Sequence, residues 1–249
     1  MLHARNASTD DQATQPTHAP PGREPGARRP GLAGLLTGAG LCVLVLLLGA
    51  LAKIGPVARL DLRADEHIAA HDRTSMLTAL AKAATTIATP ETVGVSLMIV
   101  VPLILLAARR RLDAAKVFCM FAGAFALAEI GKKLINEHRP PASVQAIAAD
   151  HAPSFPSGHA TAAAMLAVAL IAIATTVTWR GVALVLGGLY AVAVAASRVY
   201  LGDHYPLDVL GGVLCALAAA FVVTGLAALP VLQPYLRRLR LTNPAEARR

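Results

Sequence analysis

Long apolar runs alternate with short polar segments along this chain, and that alternation limits the folds open to it. A helix needs about 20 apolar residues to cross the hydrocarbon core of a bilayer. Backbone groups there find no water, so each run is expected to satisfy its own hydrogen bonds as a helix. Six runs approach this length, and they cover residues 31–51, 93–108, 114–135, 159–178, 181–197 and 207–229. The sequence predicts an all-α, polytopic membrane bundle with about six transmembrane helices.

The composition agrees with a bilayer as the main solvent. Of the 249 residues, 55% are hydrophobic and only 15% are charged, whereas soluble domains carry about 25% charged residues. The net charge of +8 would suggest a nucleic-acid partner in a soluble protein. Here the basic residues lie mainly in the tails and short loops, and no nucleic-acid-binding motif accompanies them. We therefore expect a membrane protein with no nucleic-acid partner.

Three of the segments outside the predicted spans are the two tails and residues 55–88. Residues 1–29 combine Pro, Ala, Thr and charge without an apolar period, which is typical of a disordered tail. Residues 231–249 form a basic C-terminal tail. Residues 55–88 are polar and then amphipathic, so we expect an interfacial or loop segment rather than a span. The charged side chains of residues 59–73 either contact substrate or belong to a solvated loop, and we expect the solvated loop.

Two shorter signals mark helix ends. Thr89-Pro90-Glu91 combines a cap residue, a proline and an acid in the first turn, which predicts a helix start before the second span. Trp179 and Arg180 interrupt the apolar runs and predict a very short turn between the fourth and fifth spans.

The basic residues also predict an orientation. Short loops dense in Lys and Arg stay in the cytoplasm. With six spans, the arginine-rich segments all fall on one side, namely the two tails, Arg109–Arg111 with Lys116, and Arg180. Both termini are therefore predicted to be cytoplasmic in an inner-membrane, multi-pass protein. The loops 55–90, 136–158 and 199–206 then face the periplasmic or extracellular side.

A first polar cluster ends the third predicted span. Lys132 and Arg139-Pro140 lie there, and Glu129, one turn earlier, is expected to pair with Lys132 and Lys133. These cations either snorkel to the interface or bind an anion, and taken alone the segment favours snorkelling.

A second cluster, Pro156-Ser157-Gly158-His159, opens the fourth predicted span. Such residues before an apolar run form a generic helix start. A helix N-terminus also presents free N–H groups and a positive dipole end to an anion such as phosphate. Gly158 lets the backbone approach closely. His159 would then lie beside the anion as a proton donor.

A third cluster runs from Ser197-Arg198 to His204 and Asp208, where the fifth span ends and the sixth begins. A lone carboxylate at Asp208, in the apolar start of a span, is costly. Pairing with an imidazole N–H of His204 would relieve that cost. The same bond would fix the histidine tautomer and leave the other nitrogen free to attack.

Together the clusters supply three cations, two histidines, one orienting acid and one helix N-terminus. This inventory suits phosphoryl transfer through a phosphohistidine, because cations stabilise charge on the equatorial oxygens while one histidine attacks and the other protonates the leaving oxygen. No cluster offers the several carboxylates of a two-metal site. We therefore expect a metal-independent reaction with no cofactor.

The order and spacing of these residues resemble the phosphatidic acid phosphatase type 2 (PAP2) superfamily. Its signature is Lys-x6-Arg-Pro, then Pro-Ser-Gly-His, then Ser-Arg-x5-His-x3-Asp. The chain carries all three elements in that order between residues 132 and 208. Each fragment alone is weak, but the combination is specific. The resemblance implies a PAP2-like transmembrane phosphatase domain over residues 30–230.

The resemblance also implies a role for each matched residue. It makes His204 the nucleophile, Asp208 its orienting acid and His159 the general acid for the leaving group. The phosphate would be held by Lys132, Arg139, Ser157, Gly158 and Arg198.

The implied function is an integral membrane phosphatase acting on a lipid phosphate or pyrophosphate, such as polyprenyl pyrophosphate, phosphatidic acid or phosphatidylglycerol phosphate. The same signature occurs in soluble acid phosphatases and vanadium-dependent haloperoxidases, but the apolar spans argue against both. Two alternatives remain. One is a lipid phosphotransferase of the same fold, and the other is a non-catalytic anion-binding membrane protein or transporter.

Overall fold

A computed structural model describes residues 30–148 and 151–241, so the predicted disordered tail over residues 1–29 lies outside the described residues. The described ranges contain helices, turns and loops but no strand, which confirms the predicted all-α class. The α-helices are α1 (Pro30–Ala52), α2 (Gly55–His67), α3 (Ser75–Ile87), α4 (Pro90–Val95), α5 (Val101–Ala107), α6 (Arg111–Ile135), α7 (Gly158–Ile173), α8 (Val177–Tyr200), α9 (Pro206–Ala227) and α10 (Gln233–Leu241).

Five helical segments of the described chain are long and apolar enough to cross a bilayer: α1, the segment Ser75–Ala107, α6, α8 and α9. The sixth apolar helix, α7, has 16 residues. At 1.5 Å per residue it measures about 24 Å, less than the roughly 30 Å of a hydrocarbon core. It packs at the centre of the bundle against α6, α8 and α9. The predicted membrane bundle is therefore present, with five full-length spans and one shorter helix.

The second span begins much earlier than expected. Residues 75–87, which the sequence assigned to an interfacial or loop segment rather than a span, form α3. This helix belongs to the segment Ser75–Ala107, which is long and apolar enough to cross a bilayer, so the expectation that it lies outside the spans is wrong. Thr74 caps α3 by accepting a hydrogen bond from the Leu77 N–H at 3.2 Å. The helix packs along α8, where the hydroxyls of Thr85 and Ser197 lie 2.9 Å apart. Polar threonines that serve as caps and inter-helix contacts made this span look like a loop.

The chain continues from α3 into α4 through a local helix start. The Thr89 hydroxyl accepts a hydrogen bond from the Thr92 N–H at 3.2 Å, and Pro90 is the first helical residue. This confirms the predicted start at Thr89-Pro90-Glu91. The π-helical segment Ser96–Val100 then leads into α5.

Helix α2 replaces the solvated loop expected over residues 59–73. Asp61 and Asp65 of this helix are buried, with exposed fractions of 8% and 0%, so the solvated-loop expectation is wrong for these two residues. The turn after α2 is fastened by Arg73, whose guanidinium donates to the carbonyl oxygens of Tyr200 at 3.0 Å and Val144 at 2.5 Å. The segment thereby covers the end of the bundle where α8 ends and α9 begins.

The turn between α7 and α8, which correspond to the fourth and fifth predicted spans, also differs from the prediction. It lies at residues 174–176, and Trp179 and Arg180 belong to the first turn of α8. The Thr176 hydroxyl accepts a hydrogen bond from the Trp179 N–H at 3.2 Å. A threonine cap therefore ends the loop earlier than the break in hydrophobicity suggested.

Small residues bring the helices close together. A Cβ added at Gly34 of α1 would lie 2.9 Å from the Cα atom of Gly225 in α9. Alanines fill the buried face of α7, including Ala160, Ala163 and Ala167. Close backbone approach of this kind is how helices associate in lipid. It leaves the end of α6, the start of α7 and the α8–α9 turn as neighbours.

Candidate active site

The three sequence clusters meet at one end of the bundle, and backbone hydrogen bonds join them. The Ser154 N–H donates to the Glu137 carbonyl at 2.9 Å, and the Ser157 N–H donates to the Asp208 carbonyl at 3.0 Å. The turn between α8 and α9 passes through Gly202, whose φ of 69° favours glycine. Residues far apart in sequence are thereby held around one small site.

His204 and Asp208 form the contact expected from their spacing. The Nδ1 atom of His204 lies 3.4 Å from Oδ2 of Asp208. The same carboxylate oxygen accepts the Tyr205 backbone N–H at 2.9 Å, which completes a capping box at the start of α9. Ser154 donates its hydroxyl to Asp208 and lies 3.3 Å from Nδ1 of His204. The Nδ1 side of the imidazole is therefore occupied.

The Nε2 atom of His204 faces the opposite way, toward Asp203, whose Oδ2 atom lies 3.5 Å from it. His204 is buried. Burial lowers the pKa of the His204 imidazole, and the nearby Asp208 carboxylate opposes this only in part. The imidazole is therefore held neutral near pH 7, as a nucleophile must be.

Two of the three predicted phosphate-binding cations, Arg139 and Arg198, converge on Asp203. The Nη1 atom of Arg139 donates to Oδ2 of Asp203 at 2.5 Å, and the guanidinium of Arg198 donates to the same oxygen. Arg139 is further positioned by a bond from its Nε atom to the Ala152 carbonyl at 2.9 Å. The two guanidinium groups therefore form a cationic pocket in front of His204.

Burial alone would raise the pKa of the Asp203 carboxyl. The positive charges of Arg198 and Arg139, together with the Arg139 hydrogen bond, act against burial, and that pKa lies below its ordinary value. Asp203 is therefore a carboxylate at neutral pH.

The third predicted cation, Lys132, lies on the α7 side of the site. Its Nζ atom is 2.8 Å from Oε1 of Glu129, which confirms the predicted ion pair for this lysine. A Cβ added at Gly158 would lie 3.9 Å from the same Nζ atom. The ammonium group of Lys132 is therefore adjacent to the first residue of α7.

The N-terminus of α7 carries the remaining predicted residues. The Ser157 hydroxyl is the N-cap and accepts the Ala160 N–H at 3.4 Å. His159 follows within the first turn, half-buried, and is close enough to Arg198, His204 and Asp203 to interact electrostatically with each. The structure thus brings together all eight residues singled out in the sequence.

Asp203 and Ser154 are site residues to which the sequence reasoning gave no role. Asp203 directly precedes His204, and Ser154 lies two residues before Pro156, at the start of the second polar cluster. A second acid in a short polar turn between two spans was the available signal for Asp203. Ser154 is four residues before the start of α7, so no helical spacing pointed to it.

An acidic cluster of Asp61, Asp65 and Glu137 lies behind the His204–Asp208 pair. Among the described residues, Oδ2 of Asp61, Oε2 of Glu137 and both carboxylate oxygens of Asp65 are buried without a hydrogen-bond partner. Burial, reinforced by neighbouring carboxylates, raises the pKa of Asp61 to about 6, of Glu137 to about 7 and of Asp65 to about 8. Asp65 therefore keeps its proton at neutral pH.

Sequence comparison matches the region that contains His204 and the other residues of the three sequence clusters. The sequence model of the PAP2 superfamily matches residues 113–229.

An undecaprenyl-diphosphatase of Sulfolobus acidocaldarius is 44% identical over 59 residues, 24% of this chain and 26% of that protein. A putative undecaprenyl-diphosphatase of Escherichia coli is 44% identical over 64 residues, 26% of this chain and 30% of that protein. An undecaprenyl-diphosphatase of Bacillus subtilis is 36% identical over 69 residues, 28% of this chain and 33% of that protein. Each match thus spans a third or less of the relative.

The fold has a solved counterpart. The crystal structure of a transmembrane PAP2-type phosphatidylglycerolphosphate phosphatase from Bacillus subtilis matches with a TM-score of 0.67 and 24% identity, over 77% of this chain and 96% of that one. At this identity the match establishes the fold, and with the apolar helices it establishes a multi-pass membrane protein. The matched sequence region, the complete three-part signature within it and the shared fold agree: residues 113–229 match the PAP2 superfamily, and the chain has the fold of a transmembrane PAP2-type structure.

Proposed function

We propose that this protein is an integral membrane phosphatase that hydrolyses a lipid phosphate or diphosphate through a phosphohistidine on His204. The observation that carries the proposal is the orientation of His204. Its Nδ1 atom contacts Asp208 and Ser154, while Nε2 faces the pocket formed by Arg139 and Arg198. The proposed nucleophile therefore lies between its orienting acid on one side and the proposed anion pocket on the other.

In the first step, Nε2 of His204 attacks phosphorus and forms a P–N bond while the bond to the leaving oxygen breaks. His159 gives a proton to that oxygen, so the lipid product leaves protonated. Asp208 stabilises the positive charge that the imidazole gains, because it accepts a hydrogen bond from Nδ1.

In the second step, a water molecule attacks the phosphohistidine. His159, now without its proton, accepts one from the water, and the P–N bond breaks to release inorganic phosphate. His159 ends the cycle protonated and His204 ends it neutral. Burial and the charges of Arg198 and His204 lower the pKa of His159 to about 3 in the free site, so this double role requires the negative charge of the bound phosphoryl group to raise that pKa.

Charge on the transferring group is stabilised by fixed cations. Arg139 and Arg198 supply guanidinium donors, and Lys132 lies beside Gly158 at the N-terminus of α7. Donors aimed at developing charge in a water-poor site provide a large part of catalysis in such reactions. This scheme uses only side chains and backbone of the chain and needs no metal ion.

The substrate is proposed to be a polyprenyl diphosphate, with phosphatidic acid and phosphatidylglycerol phosphate as the other candidates. The similarity to undecaprenyl-diphosphatases favours the diphosphate, and the solved counterpart, a phosphatidylglycerolphosphate phosphatase, favours the glycerolipid. A panel of these three lipids, assayed with purified protein in EDTA, ranks them by kcat/KM. Loss of activity in EDTA would argue against the metal-independent scheme.

We also propose that both termini are cytoplasmic and that the active site faces the outer side of the membrane. Support comes from the basic residues near the opposite helix ends, including Arg110 and Arg111 at the start of α6. A reporter fused after the C-terminal arginines tests this. Activity only in the cytoplasm agrees with the proposal, and activity only outside reverses it.

The catalytic proposal is tested with His204→Ala in detergent, with release of phosphate from the lipid panel as readout. His71→Ala is a matched control, because His71 is exposed on the segment after α2. We expect His204→Ala to lose activity by several orders of magnitude and the control to retain it. Undiminished release by folded His204→Ala would exclude the phosphohistidine route.

A further inference from the structure

The Asp203 carboxylate lies where the proposed mechanism needs the phosphoryl group. Its Oδ2 atom accepts hydrogen bonds from both Arg139 and Arg198 and lies 3.5 Å from Nε2 of His204. With an exposed fraction of 1%, Asp203 is enclosed among these groups rather than directed to solvent. One carboxylate oxygen therefore has the three neighbours that a phosphate oxygen would have.

A carboxylate and a phosphoryl group cannot share this position. Attack requires phosphorus roughly 3–3.5 Å from Nε2, in line with the leaving oxygen. That space is the one next to Oδ2 of Asp203. Two anions on the same guanidinium donors also repel each other strongly in a buried site. Either the phosphoryl group does not bind here, or the Asp203 carboxylate moves away from the two guanidinium groups.

Between turnovers, on the other hand, the site needs an anion. Arg198 is buried and Arg139 is nearly so. Two buried guanidinium groups without a counter-charge would be costly, because the field of one raises the cost of the other. Asp203 contributes counter-charge from within the chain, and its place directly before His204 keeps it next to both guanidinium groups.

We propose that Asp203 is a resident anion of the phosphate site, bound to Arg139 and Arg198 in the free enzyme and displaced when a phosphoryl group binds. The inference rests on the proposed function of this site. Asp203 then weakens phosphate binding and helps to expel inorganic phosphate at the end of the cycle. It is a positioning and competing residue, not one that reacts.

The alternative is that Asp203 only holds the two arginines in place. The two roles predict opposite effects of Asp203→Asn, which keeps the shape but removes the charge. A resident anion that is neutralised stops competing, so phosphate binds more tightly. A purely structural carboxylate that is neutralised loosens the arginines, so phosphate binds more weakly.

The test measures binding of inorganic phosphate to purified full-length protein in detergent by calorimetry. We expect Asp203→Asn to bind phosphate about tenfold more tightly or better. Asp72→Asn, the same substitution at an exposed site, is the matched control and should bind as wild type does. Unchanged or weaker phosphate binding by folded Asp203→Asn overturns the proposal.

A second measurement uses the wild-type protein, in case the variant does not fold. In an experimental structure with orthovanadate or phosphate bound, the Asp203 carboxylate should have left both guanidinium groups. If it still bonds to both beside the bound anion, the proposal is wrong. Both measurements need no turnover, so their outcome is separate from the His204→Ala test of the phosphatase itself.

Discussion

The Asp208 carboxylate lies 3.4 Å from Nδ1 of His204 and accepts the Tyr205 backbone N–H at 2.9 Å with the same oxygen. One side chain thus both orients the proposed nucleophile and caps the helix that follows it. The position of the imidazole is therefore coupled to the start of α9, and the reaction depends on how that helix begins.

Replacing Asp208 by Asn tests this coupling. Asn keeps the size of the side chain but cannot stabilise an imidazolium or hold the same tautomer. We expect kcat for lipid phosphate hydrolysis to fall on the order of 10²–10⁴-fold, as for loss of the orienting acid in other nucleophile–histidine–acid sites. The assay is phosphate release at saturating substrate, and a fall of less than twofold in folded protein would refute the orienting role.

The pH dependence of kcat/KM reports on His204 in the free enzyme. The imidazole must be neutral to attack, and burial lowers its pKa below the ordinary value of about 6.5. The loss of activity caused by protonation of His204 should therefore set in only below that value. A decline centred well above pH 6.5 would contradict a buried, neutral nucleophile.

Asp65 makes stability depend on pH in a defined direction. The folded protein holds the Asp65 proton up to about pH 8, whereas an unfolded aspartate releases it near about pH 3.9. The folded state therefore binds more protons between these values, and its stability falls as pH rises through this window.

Substitution Asp65→Asn should remove that dependence. We expect the variant to be more stable than wild type at pH 9 by about 1–3 kcal/mol, with the gap narrowing toward pH 5. Melting temperatures in detergent at both pH values measure it. Glu66→Gln, at the exposed neighbouring position, is the control. Destabilisation of Asp65→Asn at pH 9 would mean that the carboxylate has a favourable partner.

Gly212 of α9 sets the distance between that helix and the start of α7. A Cβ at this position would lie 2.5 Å from the Ser157 carbonyl oxygen, whereas a Cβ at Gly188 of α8 meets nothing within 4 Å. Gly212→Ala should displace the cap of α7 and reduce kcat by about 10²-fold, since small misplacements at a site have large effects. Gly188→Ala should retain activity. Equal activities would show that the close approach is unimportant.

Much of the site was predictable because polar residues are conspicuous in an apolar chain. Lys132, Arg139, His159, Arg198 and His204 each interrupt or flank an apolar run, and the four-residue spacing to Asp208 gave the histidine–acid contact directly. Asp203 escaped because the same turn already held an acid with a role. The role proposed for Asp203 rests on its contacts with Arg139 and Arg198, two residues that lie far apart in sequence.

The errors in the predicted fold have a common cause. Residues 75–87 contain several threonines, and hydropathy treats each hydroxyl as polar. In the structure the Thr85 hydroxyl lies beside that of Ser197 in the neighbouring helix, and Thr74, directly before the segment, caps it, so these polar groups have partners within the bundle. Likewise Asp61 and Asp65 looked solvated in sequence, although tertiary packing buries them. Hydrogen-bond partners and packing that other helices supply cannot be predicted from a short stretch of sequence.

The central claim is that phosphate passes through His204, and trapping the intermediate tests it most directly. Purified protein is given lipid substrate labelled on its terminal phosphate, quenched in alkali during turnover, and mapped by mass spectrometry. We expect alkali-stable, acid-labile phosphate on His204 in wild type, and neither label nor hydrolysis in His204→Ala. Turnover by wild type with no phosphohistidine, together with hydrolysis by His204→Ala, would contradict it.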